Sequence, residues 1–144
     1  MKTILIIITT LFFTTSKAQM KVANYSFGKY GTDAYKHLSL WTEKGKNSYI
    51  EYTYGKESTE VKLLILGQRI RNGNKSIQVQ FSNKYVLYII PDGLDLNVSD
   101  DNGKYFKKFK WEYEGPINGI GTFCDVCAGN EKEAMTLVNK NFLQ

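Results

Sequence analysis

The sequence is poor in the residues from which most catalytic and metal sites are built. Its 144 residues include one histidine, two cysteines, two prolines and two tryptophans. A single histidine, His37, leaves one conventional general base near neutral pH. It stands early in a strand-like segment, opposite in phase to Leu38 and Leu40, and reads as a surface or cross-strand histidine. No serine sits in a G-x-S-x-G elbow, so nothing marks a nucleophile. The two thiols and the distant His37 fall short of a four-ligand zinc set, and no metal or other cofactor is expected. Asp95, Asn97, Asp100, Asp101, Asn102 and Gly103 are oxygen-rich but do not follow the EF-hand spacing, and read as a polar hairpin. Arginine occurs only at Arg69 and Arg71, without a basic stripe, which argues against nucleic acid as a partner.

The long apolar run is confined to the start. Lys2, then Ile4–Ile8 continued through Leu11, Phe12 and Phe13, then a polar stretch ending in Ser16 and Ala18, form the three parts of an export signal over residues 1–18. The run is too short for a comfortable membrane span, and no stable span is expected after cleavage. Two of the 19 lysines and arginines, Lys2 and Lys17, lie in this leader, so the remainder exceeds the 14 acids by three. That balance is ordinary for a small domain. Residues 19–144 are enough for one domain and few for two, and a periplasmic or secreted location is expected.

Within that domain strand-like alternation dominates. Segments 22–27, 37–42, 48–54, 59–68, 76–81, 85–90, 94–98 and 105–113 alternate or run apolar, separated by turn signals such as Asn72-Gly73 and Pro91-Asp92-Gly93. The centre of 59–68, Leu63-Leu64-Ile65-Leu66, is apolar on both faces and is expected to be covered on both sides. Segment 105–113 puts Lys107, Phe109, Trp111 and Tyr113 on one face and charges on the other. Asn130 with Glu133 fits a helix cap, and Ala134, Leu137, Val138 and Phe142 share one face of a helix near 131–142. The expected fold is mainly β (α+β): an antiparallel meander forming a barrel or strongly curved sheet, with one C-terminal helix packed on it. A β-sandwich is the alternative. In outline a β meander with a terminal helix is similar to small lipocalin-like exported proteins. That likeness implies a small-molecule carrier but carries over no site residue.

Cys124 and Cys127 are two residues apart before the helix. In an exported chain this pattern predicts a local disulfide, with a redox pair as the alternative. Both Pro91 and Pro116 precede the pair, so no thioredoxin-like proline loop follows it. Ten tyrosines with Trp41 and Trp111 suit contact surfaces. Tyr113, Trp41, Tyr52, Tyr54 and Tyr88 are the candidate binding surface, and Val79, Phe109 and Trp111 the candidate pocket lining. The first functional reading is an exported, non-enzymatic protein that engages a protein partner, as an inhibitor or toxin-immunity protein does. The second is a small-ligand or glycan carrier. A hydrolase is the third, favoured if His37 converges in a cleft with carboxylates such as Glu51 and Glu60 or Glu112 and Glu114.

Overall fold

Alternation at period two becomes a barrel here because each strand has one apolar face and the chain returns tightly enough to bury all of them together. The computed structural model describes residues 20–43, 47–115 and 124–144. The predicted leader, residues 1–18, lies outside them. The strands are β1 (Met20–Phe27), β2 (Lys36–Glu43), β3 (Tyr49–Tyr54), β4 (Thr59–Arg71), β5 (Asn74–Gln80), β6 (Val86–Asp92), β7 (Asp95–Ser99) and β8 (Phe106–Glu112), followed by helix α1 (Glu131–Phe142). Every neighbouring pair is antiparallel in chain order, and β8 returns to β1 through Asn24↔Glu112, Tyr25↔Trp111 and Ser26↔Lys110. That closure decides for the barrel over the sandwich.

The inward phase is apolar through the middle of the barrel. Tyr25, Leu38, Leu40, Ile50, Ile77, Val79, Ile89, Leu96 and Phe109 are all fully buried there. Burying an aromatic side chain such as Phe109 contributes about 2–3 kcal/mol. The outward phase of β8 behaves oppositely: Phe106 is 55% exposed. On β4 the expectation of two covered faces is corrected. Leu63 is buried, but Leu64 is 59% and Leu66 41% exposed, because a barrel has one interior and nothing among the described residues packs outside this strand. A bulge between Ile65 and Gly67 re-aims the strand, and Gly67 takes a φ of 131° that a side chain would resist. Asn72-Gly73 makes the expected hairpin with both residues at positive φ. Pro91 stays in β6, paired with Leu96, and the turn falls at Gly93.

Helix α1 closes one end. Asn130 Oδ1 accepts from the Glu133 amide at 2.9 Å, and Glu133 Oε2 accepts from the Gly129 amide at 2.8 Å, so orphan donors at both sides of the cap are satisfied. Its inner stripe, Ala134, Met135, Val138 and Phe142, joins the barrel core. The C-terminus is tied to the β4–β5 hairpin by Gln68 Nε2 and Lys75 Nζ, which donate to the Gln144 and Leu143 carbonyls at 2.6 and 3.2 Å. Asn130→Ala removes one half of the cap and should lower stability by about 1 kcal/mol, roughly 4 °C in a thermal melt. An unchanged melt would show that the helix end holds without it.

Candidate functional site

In an up-and-down meander the connections alternate between the two ends, so β1–β2, β3–β4, β5–β6 and β7–β8 all turn at the end opposite the helix. There the apolar interior stops short of the rim and leaves a cavity of about 350 Å³. Its walls are Tyr52 and Tyr54 of β3, Val61 of β4, Leu87 of β6, Tyr105 before β8, and the β5–β6 turn with Phe81, Ser82, Asn83 and Tyr85; Lys36 of β2 stands at the edge. The volume is at the small end of the range for small-molecule sites.

The rings brace one another. Phe81 meets Tyr52 edge-on at 5.3 Å between centroids, and Tyr85 lies 6.1 Å beyond Phe81. The β5–β6 turn is held tight by the Lys84 amide donating to the Phe81 carbonyl at 3.0 Å and the Tyr85 amide donating to Asn83 Oδ1 at 3.0 Å. Lys84 adopts a φ of 69°, a left-handed conformation that costs a non-glycine residue energy and is sustained by these bonds. The Tyr52 and Tyr105 hydroxyls meet at 3.3 Å. Burial pushes Tyr52 well above its ordinary pKa and raises Tyr105 too, the Tyr52–Tyr105 hydrogen bond pulling Tyr105 partly back. Tyr85 donates to Asp100 Oδ2 at 3.2 Å, and burial and that carboxylate raise it too. The phenols therefore stay neutral and offer hydrogen bonds without charge.

A larger cavity of about 690 Å³ lies outside, where the β4 arm diverges from the start of β3; Leu63 and Phe142 are among its lining residues. It is a notch in the wall beside the filled interior, whereas the mouth opens on the interior itself, and the mouth is the better candidate.

The five aromatics expected to share a binding surface are divided by the fold. Tyr52 and Tyr54 belong to the mouth. Trp41 and Tyr113 pack instead against the Val22–Cys124–Cys127 cluster, with Trp41 Nε1 donating to Glu51 Oε2 at 2.7 Å and the Tyr113 hydroxyl donating to the Cys124 carbonyl at 3.1 Å. Tyr88 is buried beneath the Arg71 guanidinium, 4.3 Å from its ring centre. Of the expected lining, Val79 and Phe109 are wholly buried in the filled interior, and Trp111 lies cross-strand from Tyr25 towards the helix end. None of the three lines the mouth. The residues that do, Lys36, Phe81, Tyr85 and Tyr105 among them, flank the four connections of one end. Their signal in the sequence is that position, readable once the strands are taken as a simple meander.

Cys124 and Cys127 form the expected disulfide. Both residues are buried, so an attacking thiolate has no ready approach, which favours the structural role. The pair holds the chain against β1: the Val22 amide donates to the Val126 carbonyl at 2.9 Å, and the Ala128 amide to the Val22 carbonyl at 2.8 Å.

His37 is fully buried on the outer face of the wall, not at a surface. Its Nδ1 lies 3.3 Å from Ser39 Oγ, and its Nε2 has no hydrogen-bond partner among the described residues and is 3.9 Å from Glu112 Oε2. Burial lowers its pKa to about 4, so at neutral pH it is uncharged and the contact with Glu112 is no ion pair. Gly115 lies flat on the ring; a Cβ there would come within 2.8 Å of His37 Cε1. A histidine, a serine and a carboxylate thus do converge, with the imidazole and Ser39 buried and Glu112 partly exposed, and among the described residues none of the three lines the mouth. Glu51 and Glu60 are likewise absent from the mouth lining. In the aspartate cluster, Asp95 joins Asp92 in holding Lys108, at 3.5 and 3.0 Å, and Asp101 holds Arg71 at 3.4 Å. Among the described residues no group of three histidine, cysteine or acidic side chains gathers as a metal site, and no helix is long and apolar enough to cross a membrane.

The fold and the cavity define a class, the eight-stranded up-and-down barrel plugged at one end by a helix and open at the other. Compared with known proteins, the chain matches no family model, no curated protein and no solved structure.

Proposed function

We propose that this protein is an exported, non-catalytic barrel that binds a small molecule at its open mouth. The observation that carries the reading is the aromatic cavity of about 350 Å³ at the one barrel end the helix leaves uncovered. Flat ring faces from Tyr52, Phe81 and Tyr105, with neutral hydroxyls between them, suit an apolar or aromatic ligand body with a few polar groups. Export accords with the predicted leader, and the disulfide is consistent with an oxidising compartment outside the cytoplasm. Engagement of a protein partner, as an inhibitor or immunity protein, keeps one supporting observation: Leu64, Leu66 and Ile70 are exposed along β4.

The test is a fluorescence titration with the uncharged probe N-phenyl-1-naphthylamine. Saturable enhancement at one probe per chain is expected, with Kd on the order of 10 µM. Val61→Trp fills the cavity from its wall and should weaken binding at least tenfold while the far-ultraviolet circular dichroism is unchanged. Absence of saturable binding, or binding indifferent to the filled cavity, overturns the reading.

A further inference from the structure

We infer that the mouth selects an amphipathic organic anion, its acid group held at Lys36 and its apolar body lying against Tyr52, Phe81 and Tyr105. The inference rests on the mouth being the ligand site and adds the sign of the ligand's charge.

Among the described residues Lys36 is the one charged side chain in the cavity lining. It shares the inward phase of β2 with Leu38 and Leu40, and Lys107 shares the inward phase of β8 with Phe109. Deeper in the barrel that phase is apolar, and towards this rim it carries two cations, Lys36 in the cavity lining and Lys107 just outside it. Two lysines outside the mouth are engaged by acids: Lys21 lies 3.7 Å from Glu133, and Lys108 reaches Asp92 and Asp95. Lys36 and Lys107 are not. Among the described residues neither Lys36 nor Lys107 has a carboxylate within ion-pair distance. Each ammonium stands over a ring instead, Lys36 at 6.0 Å from the centre of Tyr54 and Lys107 at 5.1 Å from that of Phe27.

The acids near this end do not neutralise them. Asp33 and Glu57 lie in the exposed β1–β2 and β3–β4 connections, and Asp100 is turned to the Tyr85 hydroxyl. The phenols inside the mouth are held protonated by burial and supply no negative charge. A ligand acid arriving here meets positive charge beside low-dielectric aromatic walls, where attraction is stronger than in open water. A cationic ligand meets the same lysines as repulsion.

The experiment compares two probes that differ only in a charged group: 8-anilinonaphthalene-1-sulfonate and its uncharged parent, N-phenyl-1-naphthylamine. At low ionic strength the sulfonate should bind wild-type protein at least tenfold more tightly. Lys36→Met keeps the apolar stem and should bring the two affinities to within about twofold, while the outward-facing control Lys110→Met preserves the preference. Equal affinities in the wild type overturn the inference and leave the mouth as a site for neutral ligands, and a preference that survives Lys36→Met overturns it by placing the anion elsewhere. Failure of both probes to bind overturns the mouth reading itself.

Discussion

Val138→Asp is expected to abolish cooperative unfolding. Val138 is fully buried on the inner stripe of α1, between Ala134 and Phe142, and faces an apolar barrel end. A carboxylate there must either lose its hydration or bind a proton, because the stripe and the barrel end it faces are apolar. The cost is about 3–5 kcal/mol, a large share of the 5–15 kcal/mol that holds an ordinary domain together. The 12-residue helix is marginal by itself, so it gains stability only by docking. Losing the dock loses the helix and uncovers the barrel end together. Urea unfolding followed by tyrosine and tryptophan fluorescence checks this, with the exposed Lys132→Asp as the comparison. A Val138→Asp midpoint equal to that of Lys132→Asp would show that the plug lies outside the cooperative core.

The second large effect is on acidification. His37 has a folded pKa of about 4, below its ordinary value of 6.5, because burial penalises the imidazolium. Between those values the unfolded chain takes up a proton that the folded chain does not, so the folded state loses ground. The His37 contribution is fully present above pH 6.5 and is progressively lost as pH falls to about 4, for a total of about 3 kcal/mol. Glu112, 3.9 Å from Nε2, is the one carboxylate within ion-pair distance among the described residues and moderates the loss without reversing it. Tyr35, stacked on the ring at 6.3 Å, stays neutral throughout, its pKa raised by burial. Denaturation midpoints at pH 7, 5.5 and 4.5 should fall steeply for wild type and much less for His37→Gln. Parallel declines in both proteins would assign the acid sensitivity to the carboxylates instead.

Both effects bear on how much could be read without coordinates. The helix cap at Asn130, the inner stripe of α1, and the alternation of Ile77, Val79, Leu96 and Val98 were all legible, because each follows from neighbours within a turn or a strand. The disulfide was legible from the spacing of Cys124 and Cys127. His37 was not. Its phase marks it as facing away from the barrel interior, which is correct, but whether that face meets water depends on Gly115, from the far end of the chain, and on Tyr35 stacked against the ring. Leu64 and Leu66 fail in the opposite sense: apolar on the outward phase, they imply a cover that the described residues do not supply.

The sequence by itself determined the strands, their turns, the capped helix and the bridging cysteines, since period, propensity and spacing act over a few residues. Only the tertiary structure decided which side chains share a site. Tyr52 of β3, Phe81 of the β5–β6 turn and Tyr105 before β8 meet because closure of the meander brings alternate connections to one rim. Trp41, Tyr88 and Tyr113, equal to them in composition and pattern, were drawn into the wall by partners distant in sequence. Local physics sets the phase of a residue; what lies opposite that phase is set by non-local packing.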